Sequence, residues 1–136
     1  MYGFTTTLAE ISFDQAVSRT IDALKREGFG VLSDIDVQQA MKDKLGISMP
    51  RYRILGACNP PLAHEALQAE PDIGLLLPCN VIVREDASGQ VTVGFLDPQI
   101  MAHLVARPDV QAVADQADER LRRVCAVLGG SALATV

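Results

Sequence analysis

The chain has 136 residues, of which 49% are hydrophobic, and its formal net charge at pH 7 is -5. This length fits one domain whose core needs no disulfides, and the negative charge argues against nucleic acid as a partner because it repels phosphate backbones. No uncharged run approaches the roughly 18 residues that a membrane span needs, so no membrane association is expected.

The compartment is predicted from the cysteines and from the first residues. Residues 1–7 lack the basic and apolar regions of a signal peptide. The three cysteines show neither CxxC nor zinc-ribbon spacing, which argues against a disulfide framework and against a structural zinc site. We therefore expect a reduced, cytoplasmic protein.

The first predicted elements are a strand and a helix. Aromatic and β-branched residues over 2–9 alternate with period two and predict a strand. Ser12 and Gln15 form a capping box before a helix that Gly28 ends. A second strand over 29–35 and a short helix, which Asp36 caps and which runs to Leu45, follow in the pattern.

The third strand is predicted over 51–57, with Arg53 and Leu55 on one face. Asn59 before two prolines is typical of a helix start, so a helix over 59–69 is expected. Cys58 then lies where a strand passes into a helix.

The second half is predicted to contain two more strands and two more helices. Residues 73–85 are apolar and are interpreted as one strand with an edge or bulge at Pro78. A hairpin turn leads to a strand containing Val91, Val93 and Phe95. A short helix over 97–105 precedes a long helix that Gly129-Gly130 stops.

This order predicts an α+β fold with an antiparallel sheet and both main helices on one face. Residues 1–128 would form a single domain and residues 129–136 a C-terminal tail. The other sheet face would be open and would pack against a second subunit, so a homodimer is expected.

Two Cys-Asn pairs, Cys58-Asn59 and Cys79-Asn80, are the candidate functional site. If their strands are neighbours, the thiols could form a redox pair, a soft-metal clamp or a ligand-binding lip, and a helix N-terminus lowers a thiol pKa. The alternative is that both cysteines are small buried hydrophobes. Cys125, on the apolar stripe of the last helix, is interpreted as core.

Two further residues are candidates for this site. His64 could act as a base toward Cys58, could be a metal ligand, or could be a solvated surface histidine. Arg53 could bind a ligand carboxylate or phosphate, or could pair with an acidic side chain. His103 is interpreted as a surface residue, and no metal, phosphate-loop or GxSxG motif is present.

Residues 52–60, residues 74–81 and Asp97-Pro98 together carry a resemblance to a known family. The chain resembles domain of unknown function 302 over essentially residues 1–128. The resemblance implies a β-α-β(4)-α fold, similar in outline to a TATA-binding-protein half-repeat, and a dimer. It implies no reaction.

These observations favour a homodimeric binding module with a thiol-lined pocket for a small molecule, a soft metal or a sulfur species. An alternative is a structural or interaction protein in which the Cys-Asn pairs only fix turns at strand ends. A weaker alternative is a thiol-dependent enzyme that uses Cys58 with His64. The cofactor, if any, is not indicated by the sequence.

Overall fold

The computed structural model describes residues 1–129 and 134–136. The strands are β1 (Gly3–Leu8), β2 (Gly30–Asp36), β3 (Tyr52–Cys58), β4 (Cys79–Glu85), β5 (Val91–Leu96) and β6 (Ala134–Thr135). The α-helices are α1 (Phe13–Arg26), α2 (Val37–Leu45), α3 (Pro60–Ala69), α4 (Gln99–Val105) and α5 (Pro108–Gly129), and a 3₁₀ helix spans Pro71–Leu76.

The strands form one antiparallel sheet in the order β2-β3-β4-β5-β1-β6. Side chains that alternate along β1, β4 and β5 are buried under α1 and α5 on one face. The predicted α+β class, with an antiparallel sheet and the main helices on one face, is therefore confirmed. Within the described part of the chain, no helix has the length and apolar character needed to cross a membrane.

Local sequence signals explain where α1 begins and ends. The Ser12 hydroxyl accepts a hydrogen bond from the Gln15 backbone N–H at 3.2 Å, and the Gln15 side chain accepts one from the Ser12 N–H at 3.3 Å. This is the predicted capping box. Gly28, with φ of 84°, then turns the chain into β2, as the sequence pattern indicated.

Helix α5 buries the apolar stripe that the sequence predicted. Val110, Val113, Ala117, Leu121 and Val124 are at most 4% exposed, because steps of three and four residues keep them on one helix face. Cys125 is 1% exposed, so its assignment to the core is confirmed.

The segment over 73–85 differs from the single strand predicted for it. Residues Pro71–Leu76 form the 3₁₀ helix, the Leu77–Pro78 peptide bond is cis, and β4 begins only at Cys79. Pro78 has no N–H to give to a sheet ladder, so the apolar run divides there into a helical turn and a strand.

Strand β2 is irregular at Leu32. Val31 pairs with Ala57 and Ser33 pairs with Gly56, so Leu32 is an extra residue opposite β3. Such a β-bulge interrupts the alternation of side chains along the strand. Val31 packs against the core, while Leu32 is 73% exposed.

The predicted C-terminal tail over 129–136 contains two structured parts. Gly129 still belongs to α5, and Ala134–Thr135 form β6, which pairs with β1. Residues 130–133 of that tail, including Gly130, lie outside the described residues.

Candidate functional site

The fold brings Cys58 and Cys79 to the same end of the sheet. Strands β3 and β4 are antiparallel neighbours in which Ala57 pairs with Cys79, so β3 ends where β4 begins. Both cysteines are free thiols, and both line one cavity of about 300 Å³. We call this space the thiol cavity.

The thiol cavity is enclosed mainly by apolar side chains from the helices. Helix α3 contributes Ala63, Ala66 and Leu67, while Met101 of α4 and Ala117 of α5 line the remaining helical side. The alanines leave room where larger side chains would close the space. Because almost no polar surface lines the cavity, it suits an apolar group.

The rim of the thiol cavity also exposes apolar side chains. Leu32 at the β2 bulge is 73% exposed, and Leu67 on α3 is 40% exposed. Exposed apolar side chains around an apolar recess are typical of a place where a ligand or partner binds.

The two thiols of the cavity differ in environment. Cys58 is half-buried, whereas Cys79 is 8% exposed. Burial, with a smaller contribution from the neighbouring Cys58, raises the pKa of Cys79 to about 11. Cys79 begins a strand, so no helix N-terminus offsets this effect of burial. The Cys79 thiol is therefore neutral at pH 7.

Asn59 lines the cavity and also fixes the chain at its edge. Its Oδ1 accepts a hydrogen bond from the Leu62 N–H at 3.4 Å, which caps α3. Its Nδ2 donates to the backbone carbonyl of Glu27, at the end of α1, at 3.5 Å. The side chain thus joins the beginning of one helix to the end of another.

Asn80, the second asparagine of the paired motif, does not line the thiol cavity. It follows Cys79 within β4 and is exposed on the other face of the sheet. There it borders a groove of about 400 Å³ together with Tyr2, Tyr52 and Arg84. We call this second space the open-face groove.

His64 and Arg53 also lie outside the thiol cavity. His64 is exposed on α3, and within the described residues it makes no hydrogen bond or ion pair with Cys58. The Arg53 guanidinium binds both carboxylate oxygens of Asp34 on β2, through Nε at 2.6 Å and through Nη2. That pairing raises the pKa of Arg53. His103, as expected, is exposed on α4.

The structure therefore groups three of the six candidate residues, Cys58, Asn59 and Cys79, around one cavity. The sequence reasoning missed Ala63, Ala66, Met101 and Ala117, which shape it. The sequence signal for these lining residues was weak, since it consisted of two alanines three residues apart on α3. Within the described residues, no group of three or more His, Cys, Asp or Glu side chains could hold a metal ion.

The sequence and the fold are both similar to those of known proteins. A family model described as "Domain of unknown function DUF302" matches residues 4–128. An uncharacterized protein of Aquifex aeolicus (strain VF5) is 28% identical over 103 residues, which cover 74% of this chain and 65% of that protein. The chain thus spans slightly less than two thirds of this relative.

A solved structure shares the fold. The crystal structure of an uncharacterized conserved DUF302 protein from Bacillus stearothermophilus is 26% identical and superimposes with a TM-score of 0.85. The similarity covers 94% of this chain and 98% of the other. The arrangement of strands and helices is therefore shared across the whole domain.

Proposed function

The chain belongs to the DUF302 family, whose description assigns no reaction, and from the geometry of its site we propose that it is a binding module for a small, apolar molecule. The ligand occupies the thiol cavity. The observation that carries this proposal is the coincidence of both motif cysteines with a cavity of about 300 Å³ whose lining is almost entirely apolar. Cavities of about this volume and polarity are typical of small-molecule sites.

The other ligands considered from the sequence receive less support. A soft metal receives less support because, within the described residues, no group of three or more His, Cys, Asp or Glu side chains could hold a metal ion. A thiol-dependent enzyme needs a base beside its nucleophile. His64, the proposed base, lies exposed outside the cavity lining.

The test has two parts. Native mass spectrometry of the protein purified from its host should detect one co-purified organic molecule per chain. Purified protein should also bind the neutral probe 1-decanol, measured by displacement of the dye Nile red, because both compounds are apolar.

A substitution that fills the thiol cavity tests whether 1-decanol binds there. Ala63 is half-buried in the cavity wall, so Ala63→Phe should abolish binding of 1-decanol. Gln68→Phe is the matched control, since Gln68 is exposed on the same helix and does not line the cavity. If 1-decanol binds the Ala63→Phe variant as well as it binds the natural chain, the proposed site is lost.

A second candidate function, that of a structural or interaction protein, is favoured by the open face of the sheet. Ile35 is 50% exposed and Tyr2 is 66% exposed, while Ile54 and Ile82 are half-buried there. A second copy of the chain would cover these side chains and form a homodimer. In this case Asn59 serves only to fix the turn at the end of β3. Its two hydrogen bonds, to the Leu62 N–H and to the Glu27 carbonyl, are consistent with this role.

Sedimentation equilibrium tests the homodimer. The natural chain should sediment as a dimer, and Ile35→Lys should weaken the association because it places a charge within the apolar contact. Leu104→Lys, an equally large change at an exposed position of α4, should have no effect. A monomeric natural chain at high micromolar concentration would exclude this interface.

A further inference from the structure

Arg120 lies beside the thiol cavity and has no partner in the described part of the chain. Its Nη1 is 3.5 Å from the point that a Cβ on Gly28 would occupy, and the Nδ2 of Asn59 is 2.9 Å from the same point. Asn59 lines the cavity, as does Ala117, one helical turn before Arg120. The guanidinium is therefore close to Asn59, one residue of the cavity wall, although Arg120 itself is not part of the lining.

The charge on Arg120 is not neutralised locally. Five other arginines form ion pairs, and among the described residues Arg120 forms neither an ion pair nor a side-chain hydrogen bond. Glu27, which precedes Gly28, binds Arg123 at 2.9 Å instead. Arg120 is also half-buried, so its guanidinium is less screened by water than one on a fully exposed side chain.

We infer that the ligand of the thiol cavity is an apolar carboxylate, with its hydrocarbon part in the cavity and its carboxylate on Arg120. This inference rests on the proposed function, to which it adds the chemical class of the ligand. The planar guanidinium matches a carboxylate and can donate two parallel hydrogen bonds to it. Asn59 assists, because Glu27 takes only one of the two Nδ2 hydrogens.

The interior of the cavity supports the same orientation. The Cys79 thiol is neutral at pH 7, and almost all of the lining is apolar, so a carboxylate placed inside would lose its hydration without gaining partners. At the side of the cavity near Arg120, the carboxylate stays in contact with water and has the guanidinium as a cationic partner. The exposed Leu32 and Leu67 extend the apolar surface available to a longer hydrocarbon chain.

Two probes of equal chain length test the inference. Decanoate and 1-decanol are titrated against the natural chain, with Nile red displacement and isothermal calorimetry as readouts. Decanoate should bind about tenfold more tightly than 1-decanol if the charged hydrogen bonds contribute as such bonds commonly do. Arg120→Gln should remove this preference by lowering the affinity for decanoate about tenfold, with a much smaller effect on the affinity for 1-decanol.

Arg84→Gln is the matched control. Arg84 is also half-buried and also lacks a hydrogen bond or ion pair among the described residues, but it borders the open-face groove. This variant should keep the preference for decanoate. If Arg84→Gln removes the preference and Arg120→Gln does not, the anion binds on the other face of the sheet.

The outcomes separate the two proposals. Binding of 1-decanol without any preference for decanoate overturns the carboxylate inference and leaves the apolar binding site intact. Absence of binding by both probes, together with no molecule co-purified from the host, overturns the proposed function itself. Retention of the preference in Arg120→Gln shows that another group receives the carboxylate and also overturns the inference.

Discussion

The side chain of Asn59 donates a hydrogen bond to the backbone carbonyl of Glu27, 32 residues earlier in the chain. The same amide group caps α3 through its oxygen. Helices α1 and α3 are thereby joined at the edge of the thiol cavity. The asparagine after Cys58 therefore has a structural role that stands whether or not a ligand binds.

Replacing Asn59 by Ala should lower the free energy of unfolding by about 1–2 kcal/mol, because both the helix cap and the bond to Glu27 are lost. Asn59→Ser keeps a capping oxygen and should cost less. Urea denaturation of the two variants measures the difference. Equal stabilities for Asn59→Ala and the natural chain would show that neither hydrogen bond matters.

Gly28→Ala should be more destabilising than Gly46→Ala. Both glycines have positive φ, 84° and 67°, so alanine is strained by roughly 1–2 kcal/mol at either position. Only at Gly28 would the added Cβ also approach Asn59 Nδ2, to 2.9 Å, whereas nothing lies within 4 Å at Gly46. Thermal unfolding of the two variants measures the extra loss of stability caused by the contact with Asn59. Equal losses of stability in the two variants would contradict this steric effect.

Alkaline pH should destabilise the protein through its buried thiols. Burial raises the pKa of Cys79 and that of Cys125 from 9.0 to about 11. The unfolded chain therefore loses these protons first, so the contribution of each thiol is complete below about pH 9 and is lost as the pH rises through about 11. For Cys79, the difference between the pKa values of the folded and unfolded chain corresponds to roughly 2–3 kcal/mol of stability.

The measurement compares the free energy of unfolding at several pH values in the natural chain and in a Cys79→Ala, Cys125→Ala variant. The variant starts from a lower stability because two core side chains are truncated. Its stability should nevertheless fall less steeply between pH 9 and 11. Parallel curves would show that the thiols ionise alike in folded and unfolded chains.

Arg53 should be coupled energetically to Asp34 and not to a ligand. A double-mutant cycle with Arg53→Ala and Asp34→Ala should give a coupling free energy of about 0.5–1 kcal/mol, since both side chains are partly exposed. Arg53→Ala should leave the affinity for 1-decanol unchanged. A large loss of affinity for 1-decanol in the Arg53→Ala variant would instead indicate that Arg53 belongs to the binding site.

The sequence predicted those parts of the fold that are encoded locally. The Ser12 capping box, the apolar stripe of α5 and the alternation in β5 each depend on residues a few positions apart. The division of residues 73–85 was not predictable in this way. An apolar run fits a strand and a 3₁₀ turn equally well, and tertiary packing decides between them.

The candidate site was predicted in part for a similar reason. Consecutive residues inside a strand point to opposite faces, so Cys79 and Asn80 separate once β4 begins at Cys79. Cys58 and Asn59 stand where β3 ends, and there the alternation no longer applies. The small side chains that leave the cavity open come from helices far apart in sequence, and their meeting is a property of the whole fold.

The bulge at Leu32 also bears on how the protein behaves at high concentration. Strand β2 is at one edge of the sheet, and an edge strand offers unpaired backbone groups that another chain can join. The bulge twists this edge, and the charged Asp34 and Asp36 follow it. Both features oppose the addition of a further strand. The same irregularity that places Leu32 at the cavity rim thus makes this edge a poor template for pairing with another strand.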